Sequence, residues 1–117
     1  MRNKLIGNLG ENLVKKYLEK MNYQIIQTNF TCRQGEIDII AYEKEVLVFI
    51  EVKTRLNQKF GYAIEAVNMN KQKHIKNATK YFIYKYHLEN YSIRFDVIEV
   101  YLKEKTYYLN HIKNVLW

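Results

Sequence analysis

The stretch Val46-Leu47-Val48-Phe49-Ile50-Glu51-Val52-Lys53 constrains this chain more than any other. An apolar run this short and this rich in β-branched residues reads as a buried strand rather than a helix. Side chains alternate between faces along a strand, so Glu51 and Lys53 project the same way at its end. Burying charge is costly unless the charge is paired or coordinates a metal. Two readings follow: an ion pair at a strand end, or a metal site with a cation beside a phosphate.

The preceding segment supplies a partner. Arg33-Gln34-Gly35 reads as a turn, Glu36 to Tyr42 as a strand, and Glu43-Lys44-Glu45 as a polar turn. Glu36, Asp38, Ile40 and Tyr42 share one face of that strand by alternation. Opposite residues of an antiparallel pair share a face. A loop of Lys44-Glu45, or of Glu43 to Val46, then sets Ile40 across from Phe49 and Asp38 across from Glu51. Two carboxylates so close raise one another's pKa unless a cation stands between them. Lys53 can serve, and a divalent ion with hard oxygen ligands serves better.

An N-terminal helix is expected over residues 4–22, with Leu9, Leu13, Val14, Tyr17 and Met21 as its apolar sector. Gly10 falls inside that sector, which makes sense if the helix backbone must approach a sheet closely. Glu11 lies at the sector's edge. It is either half of a capping box with Asn8 or a residue at the seam with the site. Tyr23 to Cys32 reads as a strand. Past Lys53, Thr54 to Gly61 forms a basic loop in which Arg55 shares the Lys53 face.

A second helix spans about Lys71 to His87, with Asn70 as its N-cap and Ile75, Ala78, Thr79, Phe82, Ile83 and Tyr86 as its buried stripe. Five lysines and no acid lie between Glu65 and Glu89. Lys71 falls on the stripe side, toward the sheet edge, whereas Lys73 does not. Lysines at a helix N-terminus favour phosphate; a solvated basic face is the plain alternative. Tyr91 to Tyr101 is a fourth strand whose apolar phase shifts at Val97-Ile98, which calls for a bulge or burial on both faces. A last strand, Thr106 to Leu109, precedes an apolar tail from Ile112 to Trp117 that packs on the domain or on a second subunit.

The length of 117 residues suits a single domain, 1–117. Nineteen Lys+Arg against twelve Asp+Glu give +7, which favours a polyanionic partner. One cysteine excludes an internal disulfide, and three scattered histidines exclude a Cys/His zinc cluster. No apolar run reaches the roughly 18 residues of a membrane span, and no apolar leader opens the chain. A cytoplasmic protein with no membrane partner and no small-molecule cofactor is expected.

Gly7-Asn8-Leu9-Gly10-Glu11, Gly35-Glu36-Ile37-Asp38-Ile39-Ile40-Ala41, Val48 to Arg55, Phe60-Gly61, Lys71-Gln72-Lys73 and Arg94-Phe95-Asp96-Val97 together resemble the YraN-like family of uncharacterised bacterial proteins. Val14 stands where that pattern has Ala, a difference of helix packing. The family is similar to the restriction-endonuclease-like, PD-(D/E)xK nuclease superfamily, which includes archaeal Holliday-junction resolvases. The resemblance implies an α/β fold with a three-layer core, a mixed central sheet of about five strands flanked by helices. It implies Glu11, Asp38 and Glu51 as catalytic, metal-facing carboxylates for Mg2+ or Mn2+, the Val52 carbonyl as a further ligand, and Lys53 as the catalytic lysine. Arg55, Lys71 and Lys73 would hold neighbouring phosphates of DNA. The expected activity is metal-dependent DNA cleavage, on branched or damaged substrates. The alternative is a non-catalytic nucleic-acid-binding protein that keeps the fold. Resolvase-like chemistry would need two sites, hence a homodimer, by analogy.

Overall fold

A computed structural model describes residues 2–56 and 69–115. Helix α1 spans Arg2–Lys20, and strands β1 (Gln24–Cys32), β2 (Gly35–Glu43) and β3 (Val46–Arg55) follow. Helix α2 (Met69–Lys85) leads to β4 (Ser92–Leu102) and β5 (Tyr107–Ile112). One sheet holds all five strands in the order β1-β2-β3-β4-β5. It is mixed: β3 and β4 run parallel, and the other neighbours are antiparallel. The parallel pair needs a crossover, and α2 lies in it. The expected α/β, three-layer architecture with five strands is the one observed.

Each face of the sheet buries one helix. Val14 and Leu18 of α1 pack against Ile39, Ala41, Val48, Ile50, Ile98 and Val100. Ala78 and Phe82 of α2 pack against Phe30, Ile40, Leu47 and Phe49 on the other face. β3 lies between β2 and β4 and under both helices, so Leu47 to Ile50 are all buried. That explains its continuous apolar run, since neither face can be polar. β4 lies between β3 and β5, with α1 on one face and Val115 on the other. Its residues from Asp96 to Tyr101 are all buried, so the phase shift at Val97-Ile98 reflects burial on both faces, with no bulge.

The helices differ in detail from expectation. α1 already runs through Asn8, so Asn8 and Glu11 sit in the helix interior and form no capping box. Its buried line is Gly10-Val14-Leu18, while Leu9 and Met21 are about half exposed. A Cβ on Gly10 would overlap the Thr54 hydroxyl. The helix is centred on its smallest residue, which an average over apolar side chains does not weigh. Asn70 lies inside α2 rather than capping it, and Tyr86, just past the helix end, is exposed rather than part of the buried stripe.

Both helices stop without glycine. Asn22 (φ 66°) and His87 (φ 56°) take the left-handed conformation. The next amides, Tyr23 and Leu88, donate to the carbonyls of Leu18 and Ile83 at 2.9 Å each. This closes the last turns in the Schellman pattern. At the other end of the chain, Val115 covers Val97, and its amide donates to the Phe95 carbonyl at 2.8 Å. The basic loop expected through Lys59, Phe60 and Gly61, and Trp117 of the apolar tail, lie outside the described residues.

Candidate active site

The β2–β3 hairpin closes on Lys44-Glu45, with Glu43 paired to Val46 and Ile40 to Phe49. Its ladder stops at Ile39–Ile50, one step short of the Asp38–Glu51 pair. There the Asp38 carboxylate substitutes for a backbone acceptor: Oδ2 takes the Val52 N–H at 2.8 Å. On the other side of β2, the register with β1 shifts between Ile25 and Gln27 and is then unbroken through Thr28↔Ile39 and Phe30↔Ile37; Asn29, between those two pairs and facing Asp38, has a φ of 52°. Ile37 and Ile40 both pack on the α2 side, whereas Ile39 and Ala41 pack on the α1 side. Strict alternation therefore breaks at Asp38, and the shared face expected from Glu36 to Tyr42 does not persist. The two strands part, and Asp38 stands in the opening.

Carboxylates reach Asp38 from both sides. Glu51 is buried, and the two acids are close enough to act on one another's charge. Burial, then the charge of Asp38, pushes Glu51 up to about 7. Burial also raises Asp38, against the Val52 amide and the charges of Lys71 and Lys53. From α1, Glu11 is raised by burial and then by Asp38, while Lys15 and a hydrogen bond from Asn29 pull it back. Glu11 Oε1 is buried with no hydrogen-bond partner.

Two lysines face these acids. Lys71 Nζ lies 2.8 Å from Glu51 Oε1, and Lys53 Nζ lies 3.9 Å from the same oxygen. Burial, and then Lys71, lowers Lys53 to about 8. Burial pulls Lys71 down as well, but its close pair with Glu51 and the charge of Asp38 carry it above the usual lysine value. Lys71 thus closes on the carboxylates as their counter-ion, at the position its helical phase predicts.

The site opens into a cleft of about 620 Å³ lined in part by Lys4, Asn8, Glu11, Asp38, Thr54 and Arg55. Arg55 is not a solvated cation. Its Nε donates to Glu99 Oε2 at 3.1 Å, and Glu99, fully buried, also accepts from Tyr101 Oη and Asn110 Nδ2. Lys73 is exposed on the outer face of α2, away from the acids. Reading the sequence missed Asn29, Glu99 and Lys4. Asn29 carries no signal for its left-handed turn. Glu99 does, as an acid inside the apolar run Val97-Ile98-Glu99-Val100, the pattern that marks Glu51.

The donors suit a hard divalent cation: carboxylate oxygens only, one of them buried and unpaired. Among the described residues, no three acidic, histidine or cysteine side chains converge into a complete ligand set. Glu11, Asp38 and Glu51 form a chain in which each interacts with its neighbour. Ions of this kind commonly complete their shell with water and substrate oxygens.

A family model described as "Uncharacterised protein family UPF0102" matches residues 10–100, the span that carries the second half of α1, β1, the hairpin, α2 and most of β4. The chain belongs to this family. A UPF0102 protein of Caldicellulosiruptor saccharolyticus is 47% identical over 116 residues, covering 97% of this chain and 98% of that one. Relatives in Clostridium perfringens (48% identical, 96% of this chain and 93% of theirs) and Clostridioides difficile (46%, 97% and 98%) carry the same UPF0102 name. The relatives align with nearly the whole chain, whereas the UPF0102 family model ends at residue 100, before β5. No helix among the described residues is long and apolar enough to cross a membrane.

Proposed function

We propose that this UPF0102 protein is a divalent-metal-dependent DNA nuclease. The observation that carries the reading is the close pair of carboxylates, Asp38 and Glu51, set with Lys53 and Lys71 at a split in the sheet beside an open cleft. Buried acids with displaced pKa values beside a cleft are candidates for a functional site. Asp38, Glu51 and Glu11 would hold a Mg2+ or Mn2+ ion, with the Val52 carbonyl beside them. The bound ion would supply a Lewis acid and a positive charge against a phosphodiester.

The chain's own residues do the rest. Lys53, lowered to about 8, is partly neutral near neutral pH, so it can orient a water and accept its proton. In its charged form it offsets negative charge developing on phosphorus. Lys71 neutralises Glu51 and lies within reach of a phosphate beside it. Arg55, fixed by Glu99, lines the cleft. None of these groups reads a base edge, so the DNA's structure rather than its sequence would select the substrate. Cutting both strands of a junction would take two copies of the site.

The test is cleavage of branched and linear DNA in Mn2+ and in EDTA. Cleavage is expected with Mn2+ alone and is expected to vanish in Asp38→Ala and Lys53→Ala proteins. Activity that persists in either variant would belong to a contaminant and defeat the assignment. The incomplete ligand set favours one other reading, a nucleic-acid-binding module without chemistry. That reading predicts metal-independent DNA binding and no cleavage of any substrate.

A further inference from the structure

The outer face of α2 is used by nothing so far described. Lys73, Lys80 and Tyr84 stand at i, i+7 and i+11, one line along the helix, opposite the buried Ile75, Ala78 and Phe82. Tyr84 is 73% exposed, and Tyr81 flanks it with its ring stacked on Phe30. Lys85 lies over the ring of Tyr86 at the helix end. No acid occurs in the helix, against five lysines. Large exposed rings interleaved with lysines are unusual on a helix that already buries its apolar face. The same helix delivers Lys71 to Glu51. By helical rise, Lys73 and Lys80 are about 10 Å apart and Tyr84 about 6 Å further.

We propose that this stripe is a docking track for a single-stranded nucleic-acid segment leading away from the cleavage site along the helix that supplies Lys71, with phosphates on Lys73 and Lys80 and a base stacked on Tyr84. The proposal rests on the nuclease reading for its substrate and adds a segment of single strand to it. Charge complementarity selects a polyanion, and the exposed ring selects one with unpaired bases, because a duplex keeps its bases stacked on each other. A flap, a gap or the arm of an opened junction supplies such a segment.

The experiment is fluorescence anisotropy with a labelled 12-nucleotide oligothymidine and a 12-base-pair duplex, each over a salt series. Circular dichroism of every variant checks folding, which substitutions at exposed positions should leave intact. Tyr84→Ala is expected to weaken single-strand binding roughly five- to a hundredfold, the range for loss of one stacked base, with the duplex changed less. Tyr84→Phe keeps the ring and should bind as the unaltered protein does. Lys80→Gln should flatten the slope of log K against log salt by about 0.7.

Unchanged binding in Tyr84→Ala, equal losses in Tyr84→Phe, or equal losses on single strand and duplex would each overturn the track. Stronger capture by vesicles with anionic lipid than by the oligonucleotide would overturn it too, in favour of a membrane. Mn2+-dependent cleavage is measured in parallel on the unaltered protein. Cleavage with an unaffected Tyr84→Ala removes the track and leaves the nuclease. A track that behaves as expected without cleavage removes the nuclease and leaves single-strand binding.

Discussion

At the scale of single residues, the site is under electrostatic strain that Lys71 only partly relieves. Glu51 ordinarily titrates near 4.5, and in the fold it is pushed up to about 7 by burial and by Asp38. A folded-state pKa above the unfolded one means a contribution that is complete below about 4.5 and is lost as pH rises through about 7. Metal-free protein should therefore lose stability over that window. Glu51→Gln should abolish most of this loss and, at pH 8, be more stable than the unaltered protein by at most about 3 kcal/mol. Urea unfolding in EDTA at pH 4.5 and pH 8 measures both. An equal stability gain at the two pH values would mean that Glu51 is not the strained group. Lys53, depressed to about 8, acts above the window and does not blur it. A site that costs stability when empty of a counter-charge is what binding of a cation would relieve.

Among the elements, α1 owes its position to a missing side chain. Gly10 lets the helix meet Thr54 of β3, and this contact carries Glu11 to Asp38. Gly7, one turn earlier, has no atom near the place of a Cβ. The two glycines should respond in opposite ways. Gly10→Ala forces Thr54 or the helix to shift and should cost about 1–3 kcal/mol. Gly7→Ala removes backbone entropy from an open helix position and should stabilise by about 0.5–1 kcal/mol. Thermal unfolding of both variants decides it, and destabilisation by Gly7→Ala would show that something closes on that turn. The hairpin register was legible from parity: the Ile40–Phe49 pair follows from setting Asp38 and Glu51 on one face, while the loop, Lys44-Glu45 or Glu43 to Val46, was decided by the fold. The splitting of β2 from β3 at Asp38 was not. It depends on the Asp38 side chain replacing a ladder bond and on the turn of Asn29, and neither leaves a pattern of hydrophobicity.

In the molecule as a whole, a second polar network ties the sheet's far half together. Asp96, fully buried in β4, accepts from Arg94 through both oxygens, from His111 Nε2 at 2.7 Å and from the Asn114 amide at 2.9 Å. Arg94 continues to Glu43 and Tyr23, and His111 to Tyr17, so α1, the turn after it, β2, β4 and β5 meet there. Burial alone would raise the Asp96 carboxyl, and His111, Arg94 and the Asn114 amide more than reverse this. Removing one member of a buried, paired set strands the others. Asp96→Ala should thus cost about 3–5 kcal/mol, against at most about 1 kcal/mol for the half-exposed Glu43→Ala. Urea midpoints of the two variants test the ranking, and near-equal losses would refute it.

What the sequence determined by itself is what periodicity and local chemistry encode: five strands, two helices, the hairpin register and the charged pair that ends β3. Those features depend on residues within a few positions of one another. The tertiary structure alone decided which charges meet. Lys71 joins Glu51 across 20 positions, Arg55 joins Glu99 across 44, and Arg94 joins Glu43 across 51. The parallel β3–β4 pairing brings these pairs together, since a crossover through α2 sets side by side two strands that the chain keeps far apart. Electrostatic partners follow distance in space, and in this fold distance in space is set by that crossover.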